Sequence, residues 1–171
     1  MAINPSLNLC RNCIIDLANA VQRGRRYKKE VDAFAAGKRL RTKMASWEEV
    51  RRIVRWKSPR SMNHFAKKTD DEYLRTILQK VDAATSPADQ MSRLVEIDGV
   101  GPGIASAILA AMYPTSHTVI DIRALDALGL AAYTNFETIY PEYLAFCRSK
   151  AEELDVELRT LDQALWKAGA I

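Results

Sequence analysis

Asp121, the glycines at 99, 101 and 103, and the W-K-S-P-R run from Trp56 to Arg60 are the residues whose types and spacing suit chemistry. The glycines alternate within L-V-E-I-D-G-V-G-P-G-I-A and interrupt two apolar helical patterns. The chain must therefore turn there through backbone angles that a side chain resists. Pro102 suits the first position of the helix that follows, and Ala105, Ala107, Ala110 and Ala111 let that helix pack closely against its neighbours. The bare amides of such a hairpin, together with the unpaired N–H groups of the following helix, make a concave set of donors suited to a phosphate oxygen. Asp121, in V-I-D-I-R, precedes another helical pattern. An aspartate in that place is a common cap for the amides of a first turn. It is equally a carboxylate held rigid and ionised, able to stabilise a developing positive charge or to activate a water. The two roles are compatible.

Charge adds a partner to this picture. The formal net charge is +4, but residues 21–60 hold fourteen Lys/Arg against four Asp/Glu, a balance of +10, and residues 61–171 come to −6. A basic segment on an otherwise acidic chain reads as a docking face for a polyanion, DNA above all, or as a solvated surface helix. Hydrophobic residues make up 48% of 171, with no apolar run of membrane-spanning length and no signal-peptide pattern, so a soluble cytoplasmic protein is expected. Three cysteines suit a reducing interior, and Cys10 and Cys13 fall with Leu9, Ile14 and Leu17 on one helical face, which predicts buried packing.

The G-V-G-P-G-I-A run resembles the hairpin of the helix-hairpin-helix DNA glycosylase superfamily, which includes endonuclease III and the alkyladenine and adenine-mismatch glycosylases. In that family a Gly/Pro-containing loop leads from the hairpin's second helix to the catalytic aspartate. Here Tyr113-Pro114 opens such a loop and V-I-D-I-R closes it, with Asp121 at the matching place. The resemblance is carried mainly by residues 90–130. It implies an all-α, two-lobed fold with a central cleft, residues 46–112 forming the middle lobe and residues 1–45 with 113–171 the other. It implies a monomeric enzyme on double-stranded DNA, associated with the nucleoid when bound, that flips a damaged or modified base and hydrolyses its N-glycosidic bond.

Residue by residue, the resemblance assigns catalysis to Asp121 and DNA contacts to Gly99, Val100, Gly101, Gly103, Ile104, Lys57 and Arg60. It puts Trp56 near the base pocket, with core filling as the alternative. His117, four residues before Asp121, lines the cleft or sits on a surface loop. The carbonyls of Val95, Ile97 and Val100 correspond to those that hold a structural monovalent cation in relatives. An iron–sulfur cluster needs four cysteines near the C-terminus, where only Cys147 stands, so no cluster is expected. Gly103 occupies the place of the lysine used by strand-nicking members, which implies a monofunctional enzyme. Asp98 departs from the proline usual before the first hairpin glycine, and Trp166 matches a core position of the family's last helix. Two other classes stay open: a non-catalytic DNA-binding module in repair or phage defence, and a protein-interaction adaptor.

The elements that must position these residues read as helices throughout, with no sustained alternation of period two. Apolar spacing predicts a helix over 5–23, then a basic linker with a short helix over 31–36 that Gly37 ends. Capping boxes at Ser46/Glu49, Thr69/Glu72 and Thr160/Gln163 open three more, and Ser86-Pro87 with Asp89 opens one through Ile97. Asp121 begins a helix ended by Gly129, and Pro141 opens one through Leu154.

Overall fold

Helical periodicity does organise the chain. A computed structural model describes residues 2–169, which form ten α-helices and one 3-10 turn with no strand among the described residues. In order these are α1 (Arg11–Gln22), α2 (Tyr27–Leu40), α3 (Trp47–Lys57), the 3-10 turn Pro59–Ser61, α4 (Met62–Phe65), α5 (Asp71–Ala83), α6 (Pro87–Val95), α7 (Pro102–Met112), α8 (Ile122–Ala127), α9 (Phe136–Glu153) and α10 (Leu158–Ala168). No helix among the described residues is long and apolar enough to cross a membrane.

The helix after the hairpin, α7, is the centre. Every residue from Ile104 to Met112 is buried, which its run of alanines makes possible because small side chains let neighbouring backbones approach on all sides. Helices α2, α3, α6 and α9 pack on it, while α1 and α8 pack on α10.

Helix α2 corrects the sequence reading. It runs unbroken through Gly37, where a terminator was expected, and the charged segment is helix rather than linker. Its glycine serves a tertiary contact: a β-carbon at residue 37 would lie 2.2 Å from the carbonyl carbon and oxygen of Ala111. Only a residue with no side chain lets α2 and α7 approach so closely.

Four other boundaries shift for local reasons. Residues 2–10 are extended instead of helical, with Ile3, Pro5, Leu7 and Leu9 half-buried and the residues between them exposed, a short period-two pattern. The Ser6 amide donates to the Leu128 carbonyl at 3.0 Å, and Cys10 caps α1. Cys10 and Cys13 are exposed rather than buried, and pair as a disulfide across the first turn of α1. Asp70, not Thr69, caps α5 by accepting the Tyr73 amide. Asn135 caps α9 and leaves Pro141 inside it, while Glu157 stands at the start of α10 ahead of Thr160. Ser86 does accept the Asp89 amide at the start of α6. Ser46 stands at the start of α3, but the expected capping box does not form: its side chain makes no capping bond, Glu49 accepts from Arg39 instead, and the Trp47 amide is taken by the Asp71 carboxylate at 2.8 Å.

Alanine is the better helix former by about 1 kcal/mol, but forcing a methyl into a filled contact costs about 1–3 kcal/mol or more. Gly37→Ala is therefore expected to lower the unfolding free energy by about 2 kcal/mol in urea denaturation. Gly101→Ala, where a β-carbon meets nothing within 4 Å, should change it by less than about 1 kcal/mol.

Candidate active site

Three segments meet around one cavity of about 750 Å³: the end of α3 with its following turn, the hairpin with the start of α7, and the start of α8. Each is a chain terminus of a helix, so each presents backbone groups that the helix itself does not use.

The hairpin is built on Gly99, whose φ of +84° lies in the left-handed region and whose missing side chain leaves room for the His64 Cβ, 2.9 Å from where its own would be. The Val100 amide closes the turn on the Ile97 carbonyl at 2.9 Å. Ile104 and Ala105 both donate to the Gly101 carbonyl, and the amides of Gly101 and Gly103 find no acceptor among the described residues. Those two amides stand at the start of an 11-residue helix, the place where anion-binding donors are expected from the sequence. Asp98 beside them is largely exposed and lies 3.8 Å from the Lys68 ammonium, which offsets its charge.

Asp121 is both cap and cavity residue. Its Oδ1 accepts the amides of Arg123 and Ala124 at 3.0 Å each, and its Oδ2 accepts Lys57 Nζ at 2.6 Å. The side chains of Lys57 and Asp121 are only 16% and 15% exposed, so the pair is nearly removed from water yet borders the cavity. Three donors on one carboxylate fix its position. Ser106 ties this carboxylate to the hairpin: its hydroxyl donates to the Gly103 carbonyl at 2.9 Å and accepts the Ile120 amide at 3.1 Å.

The remaining wall is polar and buried, and sequence reasoning missed it. Arg159 donates through Nε to Glu30 at 3.0 Å, lies 2.9 Å from the other Glu30 oxygen, and donates through NH1 to Asp162. Gln163 donates to the same Glu30 carboxylate at 2.5 Å and accepts from Gln22 at 3.0 Å. Burial pushes the Asp162 carboxyl above the usual range, against the pull of Arg159. The Arg159 guanidinium lies over the rings of Phe34 and Trp56, at 5.0 and 5.1 Å. Glu30 and Arg159 are 129 residues apart, and nothing local in the sequence signals their pairing.

Most of the expected site residues come together here. Lys57, Arg60, Trp56, Asp121, Gly99, Gly101, Gly103 and Ile104 all border the cavity. Trp56 is 9% exposed, makes an edge-on contact to Phe34 at 5.6 Å and borders the cavity. Trp166 is not a core residue: it is half-buried on the cavity wall, with the guanidinium groups of Arg26 and Arg123 at 5.6 and 4.7 Å from its ring. Val100 is buried under the turn and borders no part of the cavity. The carbonyl of Ile97 already accepts the Val100 amide, and Ile97 itself is buried.

His117 is the clear correction. It is neither at the cleft nor on a surface loop but buried, with Nδ1 3.2 Å from the Tyr140 hydroxyl and its ring stacked on that of Tyr140. The basic segment is also less free than its charge implies, since Arg39, Arg51 and Arg52 pair with Glu49, Glu48 and Asp32. Arg23, Arg25, Lys28 and Lys29 remain exposed where α1 gives way to α2. Comparison with protein-family models, curated proteins and solved structures gives no match.

Burial, and secondarily the nearby Arg148, lower the His117 pKa from 6.5 to about 4. The unfolded chain therefore takes up this proton first, so the contribution of His117 is complete above pH 6.5 and is lost as pH falls towards 4. Wild type is expected to lose on the order of 2–3 kcal/mol relative to His117→Gln over that interval, as read by urea denaturation of both proteins at each pH.

Proposed function

We propose that the protein is a DNA base glycosylase that flips a nucleotide into the cavity and hydrolyses its N-glycosidic bond with Asp121. The observation that carries this reading is the Asp121 carboxylate, held by two amides and the Lys57 ammonium on the wall of a cavity that the open Gly101 and Gly103 amides also border.

The chemistry follows from charge. Breaking the bond between base and deoxyribose builds positive charge on the sugar, and a preoriented carboxylate in a place of low water content stabilises that charge without having to reorganise. The same carboxylate accepts a proton from the water that adds to C1′. The hairpin amides and Arg60 suit the flanking phosphates, which positions the strand without reading its sequence. Tyr27, Trp56 and Trp166 border the cavity and give an extruded base aromatic surface, beside the buried Glu30 network. Gly103 supplies no amine and Lys57 Nζ is held by Asp121, so the proposed route is hydrolytic, and strand nicking without alkali would point to Lys57 instead.

Asn at 121 keeps the capping oxygen and removes the negative charge. Asp121→Asn is expected to bind substrate duplex about as well as wild type and to release base roughly 10²–10³-fold more slowly, measured on duplexes carrying a panel of modified bases with alkali to reveal abasic sites. Unchanged excision would reduce Asp121 to a cap and leave a binding module.

Binding is tested at Gly101, whose φ of −84° and open surroundings accept a side chain, so Gly101→Val is expected to keep its circular dichroism and lose duplex affinity. Wild-type affinity should fall steeply with salt, losing nearly one unit of log–log slope for each phosphate neutralised, and Arg60→Glu should weaken binding to all sequences alike. Salt-independent binding, or normal binding by Gly101→Val, would reject the hairpin as a phosphate clamp.

A further inference from the structure

The Cys10-x-x-Cys13 pair lies at the start of α1, and the cleft chemistry makes no use of it. Both residues are exposed, their Cα atoms are 5.2 Å apart, within the span a disulfide bridges, and the structure holds them oxidised. Cys10 caps a helix of 12 residues, and its Sγ accepts the Cys13 amide at 3.2 Å. A sulfur in that place, at the positive end of a helix dipole and on an N–H donor, is stabilised as thiolate when reduced. Arg11 does not share in this, because its guanidinium reaches away to the carbonyls of Leu154 and Asp155. A metal use finds no support: no group of three or more His, Cys, Asp or Glu among the described residues is arranged to hold an ion. Cys147 is the contrasting case, fully buried and with its thiol pushed well up by that burial.

We propose that Cys10 and Cys13 form a redox-active dithiol that exchanges with small disulfides of the glutathione class at the exposed foot of α1. In the oxidising direction the Cys10 thiolate attacks one sulfur of glutathione disulfide, the S–S bond breaks, and one glutathione leaves and takes up a proton. The Cys13 thiol gives its proton to solvent, as Cys10 did on forming its thiolate, and attacks the Cys10 sulfur, and the second glutathione leaves and takes up a proton. Two protein thiols are oxidised and one glutathione disulfide is reduced to two glutathiones. Cys10 is the attacking sulfur because it carries the amide donor, and Cys13 resolves the mixed disulfide. This site is independent of the DNA reading.

The experiment uses the full chain without DNA. Protein reduced and freed of reductant is equilibrated in glutathione buffers of increasing disulfide content, alkylated, and weighed intact. Cys10 and Cys13 should leave the alkylated pool together, while Cys147 is alkylated only after denaturation. Cys13→Ser should retain one glutathione on residue 10, formed about tenfold faster than the adduct on residue 13 in Cys10→Ser. Circular dichroism checks both variants, and the wild-type titration stands without them. The proposal is overturned if both thiols stay free as the disulfide fraction rises, or if the two variants react at one rate that equals that of a peptide of residues 7–15.

Discussion

The backbone of Ala111 occupies the space where residue 37 would carry a β-carbon, and the placement of the whole cavity depends on that contact. Helix α2 brings Tyr27 and Glu30 to the cavity, α7 brings the hairpin, and α3, packed on both, brings Trp56 and Lys57. Setting α2 and α7 any further apart would separate the buried carboxylate network from the hairpin amides. A glycine inside a helix costs about 1 kcal/mol in propensity, and here that cost is offset by the close fit of the two helices.

The electrostatics of the cavity divide into two carboxylate systems. Asp121 is matched by one ammonium and two amides and sits partly open. Glu30 and Asp162 share one guanidinium and are almost fully enclosed. Removing Arg159 would leave two buried carboxylates without their cation, a far more costly change than removing an exposed ion pair such as Arg93 with Glu96. Arg159 thus holds α2 to α10 across the cavity, and its donors are used within the protein.

What the sequence made legible was local. The all-α class, the hairpin at Gly99–Gly103, the Ser86 cap and the Asp121 cap each follow from neighbours within a few residues, where capping and turn chemistry act. Gly37 was misread because a helical glycine and a terminating glycine look alike until the partner helix is known. Residues 5–10 were misread because Leu7 and Leu9 fit the helical spacing of Cys13 and Leu17, while the shorter alternation from Ile3 to Leu9 that governs the extended segment has few positions to show itself. The exposure of Cys10 follows from the same error. The Glu30–Arg159–Asp162 network and the inward turn of His117 arise from pairings across the fold, and no local periodicity encodes them.

Ser106 joins the hairpin carbonyl of Gly103 to the amide of Ile120, the residue before the carboxylate. Gly103 is also close enough to that second segment that a β-carbon on it would stand 3.8 Å from the Ile120 carbonyl oxygen. The hairpin and Asp121 are therefore parts of one body and not two jaws free to shift. A single hydroxyl fixes the separation between the open hairpin amides and the carboxylate, so the protein carries a ruler. Any ligand anchored on the hairpin would meet Asp121 at one set distance, whatever its own chemistry.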